Sequence, residues 1–134
     1  MRTQNILRGV AATALTLSAL GLGVGTANAG DKEKDGYLTS TEFGLFCYED
    51  QANSVFDLWY QDENFTDDWF KGSRSCAGQN VNDNTRSYLN GDRCVWYVFT
   101  NINMSGAQGS VPSGHRGNAS ATYKDQISST TPGC

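Results

Sequence analysis

Histidine is nearly absent from this chain: His115 stands alone, flanked by Gly114 and Arg116 in a glycine-rich stretch. One imidazole rules out a His-Glu-x-x-His metallopeptidase and leaves any catalytic triad dependent on a single turn residue, more simply read as solvated. Cys-x-x-Cys is also missing, and zinc wants four clustered nitrogen or sulfur ligands, so the cysteines do not form a zinc site. The glycines at Gly106 and Gly109 have neither a lysine nor a helical pattern behind them, which excludes a phosphate-binding loop. Positive charge is scarce, with 10 Lys and Arg against 14 Asp and Glu. An acidic chain with scattered cations suits neither nucleic acid nor an anionic membrane surface. The adjacent acids Asp62-Glu63 and Asp67-Asp68 are ordinary on such a surface, and no enzyme is expected. Long apolar runs are missing too. The longest, Val10 to Leu22, has 13 residues, short of the roughly 20 needed to cross a bilayer.

That one apolar run has a different use. Arg2 and Arg8 precede it and Ala27-Asn28-Ala29 follows it. A basic start, a short apolar run and a small-x-small site describe a secretory signal over residues 1–29, cleaved after Ala29. Loss of Arg2 and Arg8 leaves eight cations against 14 acids, a net charge near −6 on a mature chain of about 105 residues. That length is one domain's worth, and a secreted, extracellular monomer is expected. All four cysteines, Cys47, Cys76, Cys94 and Cys134, lie in the mature part. An even count in a small exported domain predicts two disulfides. Three pairings are open.

The pattern of the mature chain is β. Phe43 to Tyr48, Val55 to Tyr60 and Cys94 to Thr100 are rich in aromatic and β-branched residues, and Gln108 to Val111 and Ala119 to Tyr123 are weaker strand candidates. Asn90-Gly91-Asp92, Ser105-Gly106, Pro112-Ser113-Gly114 and Arg116-Gly117-Asn118 read as turns. Phe65 to Lys71 has room for one helical turn behind a Thr or Asp cap. Ser129 to Cys134 reads as a polar tail, ordered only if Cys134 is bridged. Many short strands with glycine-rich turns predict a sandwich. The aromatic group Trp59, Tyr60, Phe65, Trp69 and Phe70 reads as core, since a small β-domain needs such rings. Exposed, the same rings would stack on a sugar or fill a partner's pocket.

An internal duplication sharpens this. Asn82-Asp83-Asn84-Thr85-Arg86-Ser87 and Lys124-Asp125-Gln126-Ile127-Ser128-Ser129 are similar, and each closes an aromatic-rich half. The repeat favours one bridge per half, Cys47 with Cys76 and Cys94 with Cys134. Trp96 through Gly106, followed by Val111, resembles the βγ-crystallin motif, in which an aromatic precedes a second aromatic by five places and a glycine by seven. Phe99 and Gly106 hold the first and last of these places and Met104 the middle one. In the first half Tyr48-Glu49 opens the motif, with Asn53 and Val55 at the later places. The resemblance implies an all-β, two-motif Greek-key βγ-crystallin-like sandwich over residues 44–134. The alanine-rich signal, Asp35-Gly36-Tyr37-Leu38, Phe43-Gly44-Leu45-x-Cys47-Tyr48 and Asp125-x-x-Ser128-Ser129 are similar to a secreted metalloproteinase-inhibitor family of actinobacteria. That resemblance implies binding to an extracellular protease. The Gly72 to Asn84 segment and Arg93-Cys94-Val95 are candidate contact loops.

Calcium is the one cofactor the residues suggest, in two places. In βγ-crystallins an [Asn/Asp]-[Asn/Asp]-x-x-[Ser/Thr]-Ser stretch binds it through hard oxygens. Asn82, Asp83 and Ser87 in the first copy, and Asp125, Ser128 and Ser129 in the second, would be the ligands. Arg86 and Lys124 each put a cation at a ligand place; the competing account is a pair of turns held by Asp and Ser side chains. In the arm over residues 30–43, Asp31, Glu33, Asp35, Tyr37, Thr39 and Glu42 fall at the ligand places of an EF-hand loop, with Gly36 at the sharp turn. No helix pattern flanks it, and the alternative is a solvated acidic arm.

Overall fold

The computed structural model of the protein describes residues 32–134, so the signal segment and Asp31 lie outside the described residues. Glu33 to Cys134 forms a compact unit of seven strands with no α-helix among the described residues. The strands are β1 (Phe43–Phe46), β2 (Val55–Leu58), β3 (Ser87–Asn90), β4 (Val95–Asn101), β5 (Ser105–Val111), β6 (Arg116–Asn118) and β7 (Ser129–Gly133). They build two antiparallel sheets, ordered β2-β1-β3-β6 and β5-β4-β7. The bridges join Cys47 to Cys76 and Cys94 to Cys134, one in each half.

The sheets are built on one template used twice. Phe46 pairs with Val55 and Ser87; Phe99 pairs with Gln108 and Ser129. The first hairpin therefore maps onto the second at an offset of 53 residues, and the third strands at 42. The turns agree: Asp50, Gln51 and Asn53 have positive φ, as do Asn103, Met104 and Gly106. This moves the start of the first motif. Phe46, not Tyr48, is the counterpart of Phe99, and Asn53 (φ 73°) takes the glycine's place, which asparagine tolerates better than other side chains. The halves also exchange strands. Asp62 of the first half bridges Thr130 in the second sheet, while β6 of the second half pairs with β3 in the first.

Side chains from both sheets meet between them. Phe43 and Trp96, equivalent in the repeat, stack at 4.7 Å, and Phe56 meets Phe65 edge-on at 5.1 Å. Burying one such ring stabilises by about 1.5–3 kcal/mol, and Leu45, Leu58, Phe70 and Val81 are part of the same core. The aromatic group of the first half divides: Phe65 and Phe70 are buried, whereas Tyr60 and Trp69 are 71% and 48% exposed. Five local expectations differ from the structure, one of them the Ser105-Gly106 turn, which instead opens β5. Residues 119–123 form a turn and not a strand. Arg116–Asn118 and the polar Ser129–Gly133 are strands, because β3 and β4 offer them unpaired edges that outweigh weak propensity. The helical turn is a 3-10 turn, Phe65–Asp67, capped by Asn64 through its Oδ1 to the Thr66 amide.

Candidate functional site

The duplicated loops lie side by side and interlock. The Asp83 amide donates to the Ile127 carbonyl at 3.2 Å, and the Asp125 amide donates to the Thr85 carbonyl at 2.9 Å. Both aspartates sit in the left-handed region (φ 60° and 57°). The side chains consequently pair across copies. Ser128 Oγ approaches Asp83 Oδ1 at 3.4 Å, while Arg86 Nε donates to both oxygens of Asp125 at 3.2 and 3.1 Å. Lys124 beside it binds Glu49 at 2.6 Å. Read along the chain, each copy carries one cation; in space both cations gather at the Asp125 junction, and the Asn82-Asp83-Ser128 junction carries neither. At that junction Asn82 Oδ1 is buried without a hydrogen-bond partner. Ser87 and Ser129 have another task. Each hydroxyl accepts from an amide in the hairpin turn of its own half (Gln51 at 2.9 Å, Met104 at 3.0 Å) and donates to a carbonyl there (Tyr48 and Asn101, both 2.6 Å).

The EF-like arm turns one oxygen of each carboxylate to a backbone amide, while Asp35 Oδ2 and Glu42 Oε1 are buried without a hydrogen-bond partner. Glu33 accepts from the Tyr60 amide at 3.2 Å, Asp35 from the Tyr37 amide at 2.9 Å, and Glu42 from the Thr39 amide and hydroxyl at 2.5 and 2.7 Å. Strand β1 follows Glu42 directly. Asp57 on β2, which the sequence does not single out, accepts from the Asp35 and Gly36 amides at 3.1 and 2.7 Å. Burial pushes its carboxyl up to about 6, against the pull of those two amides. Lys34 reaches between Asp62 (2.5 Å) and Asp68 (3.1 Å), 5.5 Å above the Phe56 ring. Asp62, Asp67 and Asp68 bring oxygens within 4.8 Å of one another. Burial, helped by a hydrogen bond with Asp62 and opposed by Lys34, raises Asp68 to about 7.

Next to this arm lies an exposed loop. Lys71 to Ser75 is exposed throughout. At its far end Cys76 is bridged to Cys47. Asn53, the residue in the glycine's place, receives the Cys76 amide at 2.9 Å on Oδ1 and donates from Nδ2 to Ser75 Oγ at 2.9 Å. At the near end Lys71 Nζ donates to the Lys34 carbonyl at 3.2 Å. A cleft of about 300 Å³ runs beside the loop, with Phe46 and Val55 at its base and Tyr37, Lys71 and Arg74 on its walls. The second candidate segment offers less: Arg93 is exposed, but Cys94 is buried and Val95 belongs to β4. His115 is exposed on the turn between β5 and β6. The loop-pinning role of Asn53 was missed in the sequence, although one signal was there: Asn53 follows Phe46 by the same seven places that separate Gly106 from Phe99.

Two disulfides in so small a domain point to an oxidising, extracellular setting. No protein-family model and no curated protein matches this chain. A solved structure described as "Evolution of the eye lens beta-gamma-crystallin domain fold" is similar in fold, with a TM-score of 0.57 over 76% of this chain and 90% of that one at 13% identity. The chain therefore has the βγ-crystallin fold, reached from the duplicated hairpins and their exchanged strands and met again in that neighbour.

Proposed function

We propose that this chain is a secreted inhibitor of an extracellular peptidase, acting as a monomer that presents Lys71 to Ser75 as a preformed binding loop. The observation that carries this reading is the anchorage of the loop: fully exposed, yet held at Cys76 by the bridge to Cys47 and at Ser75 and Cys76 by Asn53. A loop fixed before contact loses little entropy on binding, which favours tight association through few residues. Lys71 and Arg74, on an otherwise acidic protein, suit a partner whose cleft is acidic. The similarity of the Asp35-Gly36-Tyr37-Leu38 and Phe43 to Tyr48 segments to metalloproteinase inhibitors directs the choice of target.

Titration of a thermolysin-type metalloproteinase with the purified protein tests this, and stoichiometric loss of activity is expected. Asn53→Gly keeps the left-handed backbone but removes the side-chain bonds to the loop. It should weaken inhibition at least tenfold and permit cleavage within residues 71–75, read by mass spectrometry. Undiminished protease activity at a large excess of the wild-type protein would sink the reading.

A second reading rests on a different observation, the cation-free junction of Asn82, Asp83 and Ser128 with its orphaned Asn82 oxygen. Calcium takes six to eight hard oxygens; these residues would supply a few and water the rest. Melting temperature should then rise with calcium relative to chelator. Asp83→Ala should abolish the rise, whereas Asp125→Ala and Glu42→Gln should leave it. Loss of the rise in Glu42→Gln alone would move the site to the arm.

A further inference from the structure

The repeat identifies a place where the halves differ by two aromatic rings. Phe56 lies opposite Leu45, and its equivalent opposite Val98 is Gly109. The Phe65 amide donates to the Ser128 carbonyl at 3.0 Å; the equivalent amide, bonded to the Arg86 carbonyl at 2.8 Å, is that of Ala119. Where the first half fills its core with an edge-on pair of phenyl rings, the second half has a hydrogen and a methyl group. Tyr123 recovers part of the space, its ring lying where a Cβ on Gly109 would come within 2.9 Å. A cleft of about 190 Å³, partly open to solvent, remains between the sheets. Leu45, Val98, Val111 and Ile127 form its floor, Tyr88 and Tyr123 flank it, and the exposed Ser110, Asn118 and Ser120 stand at its rim.

Protein interiors keep few voids larger than a water molecule. An apolar cavity of about 150 Å³ lined by aliphatic residues stays dry and accepts benzene. The space here has a similar volume and an aliphatic floor but opens on one side to a polar rim, and the chain itself shows what fits it, since the same position in the other half is occupied by phenyl rings. We propose that this cleft is a binding site for a small monocyclic aromatic molecule, its ring among the aliphatic residues and any hydroxyl substituent turned to the rim. The ligand would stand in the second half where Phe56 and Phe65 stand in the first.

Toluene and phenol are the probes, titrated against the disulfide-intact protein while methyl resonances are followed by NMR. Saturable shifts confined to Leu45, Val98, Val111 and Ile127 are expected, with a rise in melting temperature. Ala119→Phe supplies the ring from within and should weaken binding at least tenfold; Ala119→Leu is a smaller plug should the first variant not fold. The absence of saturable shifts at millimolar probe overturns the proposal, as do shifts spread over the surface or unchanged in a folded plugged variant. The map of shifts in the wild-type protein decides the matter even if neither variant folds.

Discussion

At the residue scale the most telling side chains are Ser87 and Ser129. Each is buried, and each ties its hairpin turn by one accepted and one donated hydrogen bond. Alanine at either place strands a buried amide and carbonyl, at a cost of roughly 1–3 kcal/mol for each group left unpaired. Ser87→Ala and Ser129→Ala should therefore lose about 2–4 kcal/mol each in urea unfolding with little change in m. A loss confined to one of them would mean that the two hairpins are not equivalent. The serines were visible in the sequence as the last letters of a repeat, but as calcium-ligand candidates. Their bonds run to turn residues 25 and 36 positions away, a partnership that no local pattern encodes. Asp83 and Asp125 were calcium-ligand candidates as well, with turns held by Asp and Ser side chains as the competing account; both adopt the left-handed backbone of a turn.

At the scale of elements, local pattern located the strong strands and the Gln108 to Val111 part of β5, and missed β3, β6 and β7. β1, β2 and β4 announced themselves by buried aromatic and β-branched residues. β6 and β7 read Arg-Gly-Asn and Ser-Thr-Thr-Pro-Gly, and only the edges beside them make them strands. The N-terminal arm is the other surprise. An acidic stretch with a calcium-loop spelling is fastened by Asp57 to β2 and by Lys34 to Asp62 and Asp68. Its carboxyl partners respond to pH in a definite direction. Burial raises Asp57 to about 6 and Asp68 to about 7 from 3.8. Between those values the folded chain holds protons that the unfolded chain has released, so stability declines as pH rises through the window. The melting temperature should be higher at pH 5 than at pH 8, and Asp68→Asn should flatten the upper part of the decline. A melting temperature that climbs from pH 5 to pH 8 in wild type would contradict this account of the arm.

At the scale of the molecule, the all-β sandwich, the duplication and the pairing of the cysteines were legible in advance, because they depend on counts and repeats that survive divergence. The offsets were not legible as one number, since hairpins recur at 53 residues and third strands at 42. Each bridge closes a chain loop, with separations of 29 and 40 residues. Constraint of the unfolded chain makes each worth roughly 3–4 kcal/mol, the longer loop only slightly more. Replacing Cys94 and Cys134 by serine should cost about that much in denaturant unfolding and speed hydrogen exchange most in β7, which Cys134 directly follows. Equal acceleration across both sheets would show that the bridge acts on the whole fold and not on that edge.

The exchange of edge partners between halves makes each half depend on the other. Asp62 extends the sheet of the second half and β6 extends that of the first. A lone half would leave an edge open, and a second identical copy would close it while having its own edge closed in return. The chain thus achieves within one molecule the mutual closure that a symmetric pair of halves would achieve between two, with Gly91 to Cys94 linking the halves. Because the exchange lies within one chain, the copies need not be identical: Gly109 stands where Phe56 does in the first half and Arg86 where Ser128 does in the second, with both sheets extended all the same.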